Sequence, residues 1–265
     1  MRINLQETNL FVEDLGNGVP LLLIHGFPLN REMWRPQIET LSATARVIAL
    51  DLRGHGQSPP TEGPYSMDLL ADDCADVLEA LKVDQPVVVC GLSMGGYVSF
   101  AFFRRHSEKV AGLILAATRS GADSEEAKNN REKSAQAIEK NGTQPVIDRM
   151  LPIIMAPRTY LERPELVTRV RDIMSHTSAR GMISALLGMK TRSDSTPTLG
   201  QINVPTLIIH GAEDQIIPLS DSETMQRKIP DSQLDIIPDA GHLPNLEQAQ
   251  QFNQHVQNFL TKLGN

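Results

Sequence analysis

The stretch Cys90-Gly91-Leu92-Ser93-Met94-Gly95-Gly96 limits what this chain can fold into more than any other. Pro86 to Cys90 is a short apolar, β-branched run closed by glycine, and Tyr97 to Phe103 resumes as an apolar helix. Ser93 therefore falls on the turn between a buried strand and a helix. A side chain presented at the apex of so sharp a turn forces strand and helix together on either side of it. Gly91 and Gly95, two positions before and two after, lack the Cβ that would block that approach, which leaves the serine hydroxyl exposed above the sheet. Short glycine-serine strings also occur in ordinary turns, so the rest of the chain must supply the context.

The N-terminal part reads as β structure. Asn9 to Asp14 alternates around Leu10 and Val12, Gly16-Asn17-Gly18 supplies a hairpin turn, and Val19 to Ile24 is a continuous apolar run. That run ends in His25-Gly26-Phe27-Pro28, and a helix is expected from Met33 to Leu41. Arg46 to Leu50 forms another strand and runs into Asp51-Leu52-Arg53-Gly54-His55-Gly56-Gln57-Ser58. Asp51, His55 and Ser58 are tempting chemistry, but glycines and polar side chains in this arrangement suit a tight turn whose backbone groups need partners, and the loop is read as structural. Asp68 to Leu81 is an amphipathic helix, and Val110 to Ala117 is one more buried strand. Strands alternating with helices at this spacing give an α/β fold, a mostly parallel central sheet with helices on both faces. Ligands of such sheets collect at the carboxyl ends of the strands.

From Arg119 to Thr198 the period changes, and helices follow one another without strands. Ser124 to Lys140 is strongly charged, with Asp123 expected as its cap and Asn141-Gly142 as its stop. Apolar stripes then run through Ile147, Met150, Leu151, Ile154 and Met155, with a kink expected at Pro152. Others run through Leu166, Val167, Val170, Ile173 and Met174, and through Met182, Ile183, Leu186 and Leu187. These stripes need something to cover. The division that follows is a core of residues 1–118 and 199–265 with a helical cap, residues 119–198, inserted over the carboxyl edge of the sheet. Met150, Met155, Met174, Met182 and Met189 lie in this segment, and they suit either an adaptable pocket wall or simple gap filling.

The sheet resumes at Val204 to His210, which ends in Gly211-Ala212-Glu213-Asp214-Gln215-Ile216-Ile217-Pro218. A helix from Ser220 to Lys228, a strand from Leu234 to Ile237, the loop Asp239-Ala240-Gly241-His242-Leu243-Pro244 and a closing helix from Leu246 to Leu260 complete the core. Ser93, an acid at position 214 or 213, and His242 thus reach one sheet edge, in that chain order.

Composition excludes several other classes. A length of 265 residues suits one large α/β domain or a domain with one insertion. A net charge of −7 gives no pull toward nucleic acid or an anionic membrane. Cys74 and Cys90 form neither a disulfide framework nor a metal-ligand spacing, and Cys90 reads as a small buried apolar residue. No apolar run approaches ~18 residues, and the first ten residues lack a signal pattern, so a cytoplasmic protein is expected.

With these residues in view, the chain resembles the α/β-hydrolase fold family, whose members carry a nucleophile, an acid and a histidine in that order. The resemblance covers nearly the whole length. It includes the Ser93 turn, the His25-Gly26-Phe27-Pro28 loop, the Asp51 to Ser58 loop, the Gly211 to Pro218 loop and Gly241-His242. Within the family the chain is most similar to small bacterial esterases and lactonases, including 3-oxoadipate enol-lactonases. The resemblance implies a serine esterase with a catalytic triad: Ser93 as nucleophile, His242 as base, and Asp214, which fits the G-x-x-D pattern, as acid rather than Glu213. It also implies an oxyanion hole from the backbone N–H groups of Phe27 and Met94. A small-molecule ester or lactone is the implied substrate, with no metal or organic cofactor. Relatives that act as epoxide hydrolases or haloalkane dehalogenases use an aspartate nucleophile, and Ser93 argues against both. Some relatives carry the acid where this chain has Thr118 and Arg119, which again leaves Asp214; Arg119 would instead pair with an acidic substrate group. His55, His106, His176, His210 and His255 are read as structural or solvated. The competing readings are a C–C bond hydrolase or a perhydrolase on the same triad, or a non-catalytic binding member of the fold.

Overall fold

Eight strands form one sheet in the order β1-β2-β4-β3-β5-β6-β7-β8. They are β1 (Arg2–Asn4), β2 (Asn9–Leu15), β3 (Val19–Ile24), β4 (Ala45–Leu50), β5 (Val87–Leu92), β6 (Val110–Ala116), β7 (Thr206–Gly211) and β8 (Ser232–Ile237). The computed structural model describes residues 1–263. β1 and β2 pair antiparallel at one edge, and every pairing from β4 across to β8 is parallel. β5 and β7 are buried along their whole length, as continuous apolar runs covered on both faces require.

The helices of the core are α1 (Arg35–Leu41), α2 (Met67–Ala80), α3 (Met94–Arg105) and, after the helices α4 to α8 described below, α9 (Leu219–Lys228), α10 (Pro244–Glu247) and α11 (Ala249–Leu263). α1 packs with α11, which also touches β6 and β8, whereas α2 packs with α3, which touches β3, β5 and β6. Helices cover both faces of the sheet, as the alternation of periods predicts. Among the described residues no helix is long and apolar enough to cross a membrane.

Between β6 and β7 the chain forms five helices and no strand: α4 (Glu125–Asn141), α5 (Gln144–Met150), α6 (Pro157–Glu162), α7 (Pro164–Ser175) and α8 (Ala179–Lys190). α4 packs on α8 and α5, and α7 packs on α5 and α6. The interruption expected at Pro152 is a short 3₁₀ turn over Leu151–Ile153 that follows the end of α5. Met155, Met174, Met182 and Met189 are buried, and Met150 is partly buried.

Three expectations need correction. Gly16-Asn17-Gly18 does not close a hairpin: β2 and β3 do not pair, because β4 lies between them and bonds to both. Asp123 does not cap α4: Ser124 is the N-cap, its hydroxyl accepting from Ala127 N–H, while Asp123 pairs with Arg131 and Arg192. A hydroxyl next to the first turn meets the free N–H groups better than a carboxylate already held by two guanidiniums. The single closing helix is in fact α10 and α11, broken at Gln248. β1 was not foreseen, because three residues of alternating exposure carry too short a period to read.

Candidate active site

Ser93 sits between β5 and α3 with φ 55° and ψ −112°, a backbone that non-glycine residues seldom adopt and that persists only where the surroundings enforce it. Its N–H donates to Ala116 O at 2.9 Å, and its carbonyl accepts from Gly96 N–H at 2.9 Å and from the Thr118 hydroxyl at 2.8 Å. The flanking glycines are sterically required. A Cβ on Gly91 would lie 2.2 Å from Gly95 O, and one on Gly95 would lie 2.1 Å from Ile24 O. From Val87 to Phe103, Ser93 is the only residue that is not buried. The turn thus leaves one residue partly accessible on an otherwise covered strand and helix.

The loop after β3 lies beside it, since a Cβ on Gly26 would stand 3.4 Å from Ser93 Cβ. Among the described residues neither the Phe27 nor the Met94 N–H donates to a protein acceptor, and Met94 opens α3, where the helix dipole favours negative charge. His25, fully buried, holds this loop open: its Nε2 accepts from Leu52 N–H at 3.0 Å, and its Nδ1–H donates to Gly26 O at 2.9 Å. Burial lowers its pKa to about 4, so the ring is neutral, as that pair of contacts demands.

Backbone bonds connect the strand ends on the other side. Ala117 N–H donates to Ile209 O, Ala212 N–H to Ile237 O, and Glu213 N–H to Ala240 O, the last at 2.8 Å. These bonds bring the loops after β6, β7 and β8 to the edge that carries Ser93. There His242 Nδ1 and Asp214 Oδ2 are 2.8 Å apart, with side-chain exposures of 3% and 0%. Asp214 Oδ1 accepts from Ile216 and Ile217 N–H at 2.8 and 3.0 Å. Burial opposes the charge on Asp214, but the His242 charge, the His242 hydrogen bond and these two amides outweigh it and hold the carboxyl below its ordinary range. An ionised acceptor fixes Nδ1–H as the donor, so that in the neutral imidazole the lone pair is on Nε2. Glu213 is exposed, so the position facing the imidazole is 214.

Arg119 is engaged within the protein. Its Nη2 donates to Ile216 O at 3.0 Å and its Nε lies 3.6 Å from Asp221, so the guanidinium braces the loop that carries Asp214. The Asp51 to Ser58 loop has the structural role read for it. Asp51 accepts from Arg31 and Gln57 N–H groups and from the Arg31 guanidinium, and Ser58 Oγ bridges Asp51 O and Phe11 N–H. Of the other histidines, His55 and His210 are buried, His106 and His255 pair with Asp72 and Asp235, and His176 is exposed. The Cys90 thiol is buried and its pKa is pushed up, which leaves it inert. Two residues that touch the site escaped the sequence reading. Thr118 holds the Ser93 carbonyl, and Glu247 binds both N–H groups flanking His242. An acidic residue five positions beyond His242, in a short helix opened by Pro244, was the available signal for the second.

Similarity to known proteins agrees with this geometry. The family model described as alpha/beta hydrolase fold matches residues 19–249. The structure of a thermophilic esterase from Thermogutta terrifontis superposes with a TM-score of 0.97 at 40% identity, covering 99% of both chains. A 3-oxoadipate enol-lactonase from Acinetobacter baylyi is 28% identical over 99% of this chain and 97% of its own. A bromoperoxidase from Bacillus anthracis is 27% identical, with a TM-score of 0.86 and 96% of both chains covered. The sheet order, the strained serine turn and a family match spanning both lead to one conclusion: this chain belongs to the α/β-hydrolase fold family and is a hydrolase.

Proposed function

We propose that this hydrolase cleaves carboxylic esters or lactones through an acyl-enzyme on Ser93, with His242 as general base and acid and Asp214 as its orienting carboxylate. The observation that carries the reading is the His242–Asp214 pair, buried at the sheet edge that also presents the half-buried Ser93. A serine hydroxyl is a weak nucleophile at neutral pH and needs a base. His242 Nε2 takes the Ser93 proton as Oγ attacks the carbonyl carbon, and Asp214 stabilises the resulting imidazolium. Phe27 and Met94 N–H groups receive the oxyanion, a role worth roughly 3 to 4 kcal/mol per donor in other hydrolases. His242 then protonates the departing alkoxide, and a water repeats the cycle to release the acid and regenerate Ser93. No step calls on a metal or organic cofactor.

The esterase and enol-lactonase likenesses support this substrate class, and we read residues 119–198 as the cap that selects among such substrates. We place the protein in the cytoplasm, a reading that the two buried free thiols of Cys74 and Cys90 support. Purified protein is expected to hydrolyse p-nitrophenyl acetate or butyrate, and Ser93→Ala to lose that activity by several orders of magnitude. Activity that survives the substitution refutes the acyl-enzyme. The bromoperoxidase likeness favours a second reading on the same three residues, in which hydrogen peroxide replaces water in the deacylation. Peracid formation from acetate and peroxide, measured against ester hydrolysis, separates the two.

A further inference from the structure

Three consecutive backbone N–H groups define how His242 is seated. Gly241 N–H donates to Glu247 Oε1 at 2.9 Å, His242 N–H to Ile154 O at 3.2 Å, and Leu243 N–H to Glu247 Oε1 at 3.2 Å. The other oxygen of Glu247 turns to the helical insert, accepting from Ala156 N–H and from the Thr159 hydroxyl, both at 2.7 Å. Contact here is close, because a Cβ on Gly241 would lie 2.5 Å from Ala156 N. One buried carboxylate therefore joins the loop carrying His242 to the segment between β6 and β7.

The donor set requires a carboxylate. Each oxygen faces two donors, so a carboxylate satisfies all four, while an amide at this position would turn its own N–H groups against at least one backbone N–H. Burial works against the charge and raises the Glu247 pKa, which the four hydrogen bonds only partly offset. A carboxyl group kept in so unfavourable a place by four contacts, two of them flanking His242, is more than a packing feature.

We infer that Glu247 is the positioning residue for His242. It fixes the imidazole relative to Asp214 and Ser93 and refers that position to the helical insert, so that movement of residues 154–159 is felt at the base. This inference rests on the role proposed above for His242. Glu247 itself touches no substrate; it acts through the peptide groups on either side of the imidazole.

The test uses the full chain, with active sites titrated by a fluorophosphonate probe so that rates refer to competent molecules. Glu247→Gln is expected to lower kcat per titrated site by roughly 10- to 100-fold with KM changed less than about threefold. It is also expected to broaden or shift the downfield proton resonance of His242 Nδ1–H, which reports the bond to Asp214 without turnover. Thr159→Val, which removes one of the two donors at the insert, is expected to lower kcat several-fold, and Thr159→Ser to restore it. A Glu247→Gln protein with a lower Tm but unchanged kcat per site and an unchanged downfield resonance would overturn the inference. If Glu247→Gln does not fold, Thr159→Val with wild-type kcat overturns it instead. Wild-type protein that fails to react with the probe at Ser93 overturns the acyl-enzyme reading and, with it, this one. An altered resonance in Glu247→Gln beside a reactive wild type separates the two cases.

Discussion

His25 and His55 carry the clearest stability consequence of any single residues. Both rings are fully buried with centroids 4.9 Å apart, and burial holds their pKa values at about 4 and about 3, with the neighbouring His25 charge adding to the shift at His55. Between the ordinary histidine value of 6.5 and these values the unfolded chain binds protons that the folded chain refuses. Stability is therefore complete above about pH 6.5 and falls as pH drops toward 4, by up to about 1.4 kcal/mol per pH unit for each ring. Asp214, with its carboxyl held low, adds a loss of the same sign below the ordinary carboxylate range. Asp51 and Glu247, whose values burial raises, act in the opposite sense, gaining stability as pH falls through their raised values. Urea denaturation at pH 7, 6, 5 and 4 is expected to show a steep decline, and His55→Gln roughly to halve its slope between pH 6.5 and 4.

Among the elements, the helices between β6 and β7 are held by features that a hydrophobic stripe does not reveal. α8 meets the core through its small residues. Gly181 lies against Gly54, Ser184 against Gly63 and Gly188 against the Tyr65 carbonyl, where added Cβ atoms would approach within 2.5, 2.1 and 1.6 Å respectively. Tyr65 N–H also donates to Ser184 O at 2.9 Å. At the start of α4, Ser124 and Asp123 divide two tasks between them. The Ser124 hydroxyl satisfies one free N–H, so Ser124→Ala should cost about 1 kcal/mol. Asp123, with 5% side-chain exposure between Arg131 and Arg192, is the anion of a buried pair, and Asp123→Ala should cost about 3 to 5 kcal/mol by stranding Arg192. Equal losses in chemical denaturation would contradict that division.

At the scale of the whole molecule, the helices between β6 and β7 are hydrogen-bonded to the sheet's loops at several separate places. Thr177 Oγ1 donates to Pro28 O at 2.9 Å, Asn30 Nδ2 to Ile173 O at 3.0 Å, Ser178 N–H to Gly54 O at 3.1 Å and His242 N–H to Ile154 O at 3.2 Å. These contacts reach the loops after β3, β4 and β8, of which the first and the last lie at the edge that carries Ser93. Calorimetry is expected to give one transition with matching calorimetric and van't Hoff enthalpies, and two resolved peaks would mean that the insert opens independently.

The alternation of strands and helices, the sharp turn at Ser93 and the placing of His242 and Asp214 on loops just past two strands were legible in the chain. Local periodicity and a few special residues encode them: Gly91 and Gly95 can only be explained by the approach they permit. The helical character of the 119–198 segment was legible for the same reason, through its apolar stripes. Three-dimensional packing alone decided the rest. It turned Asp123 from a cap into an ion-pair partner, sent Arg119 to the loop that carries Asp214, broke the last helix at Gln248, and brought Glu247 under the peptides flanking His242. A side chain's partner is set by which distant backbone arrives beside it, and no periodicity in the neighbouring residues records that arrival.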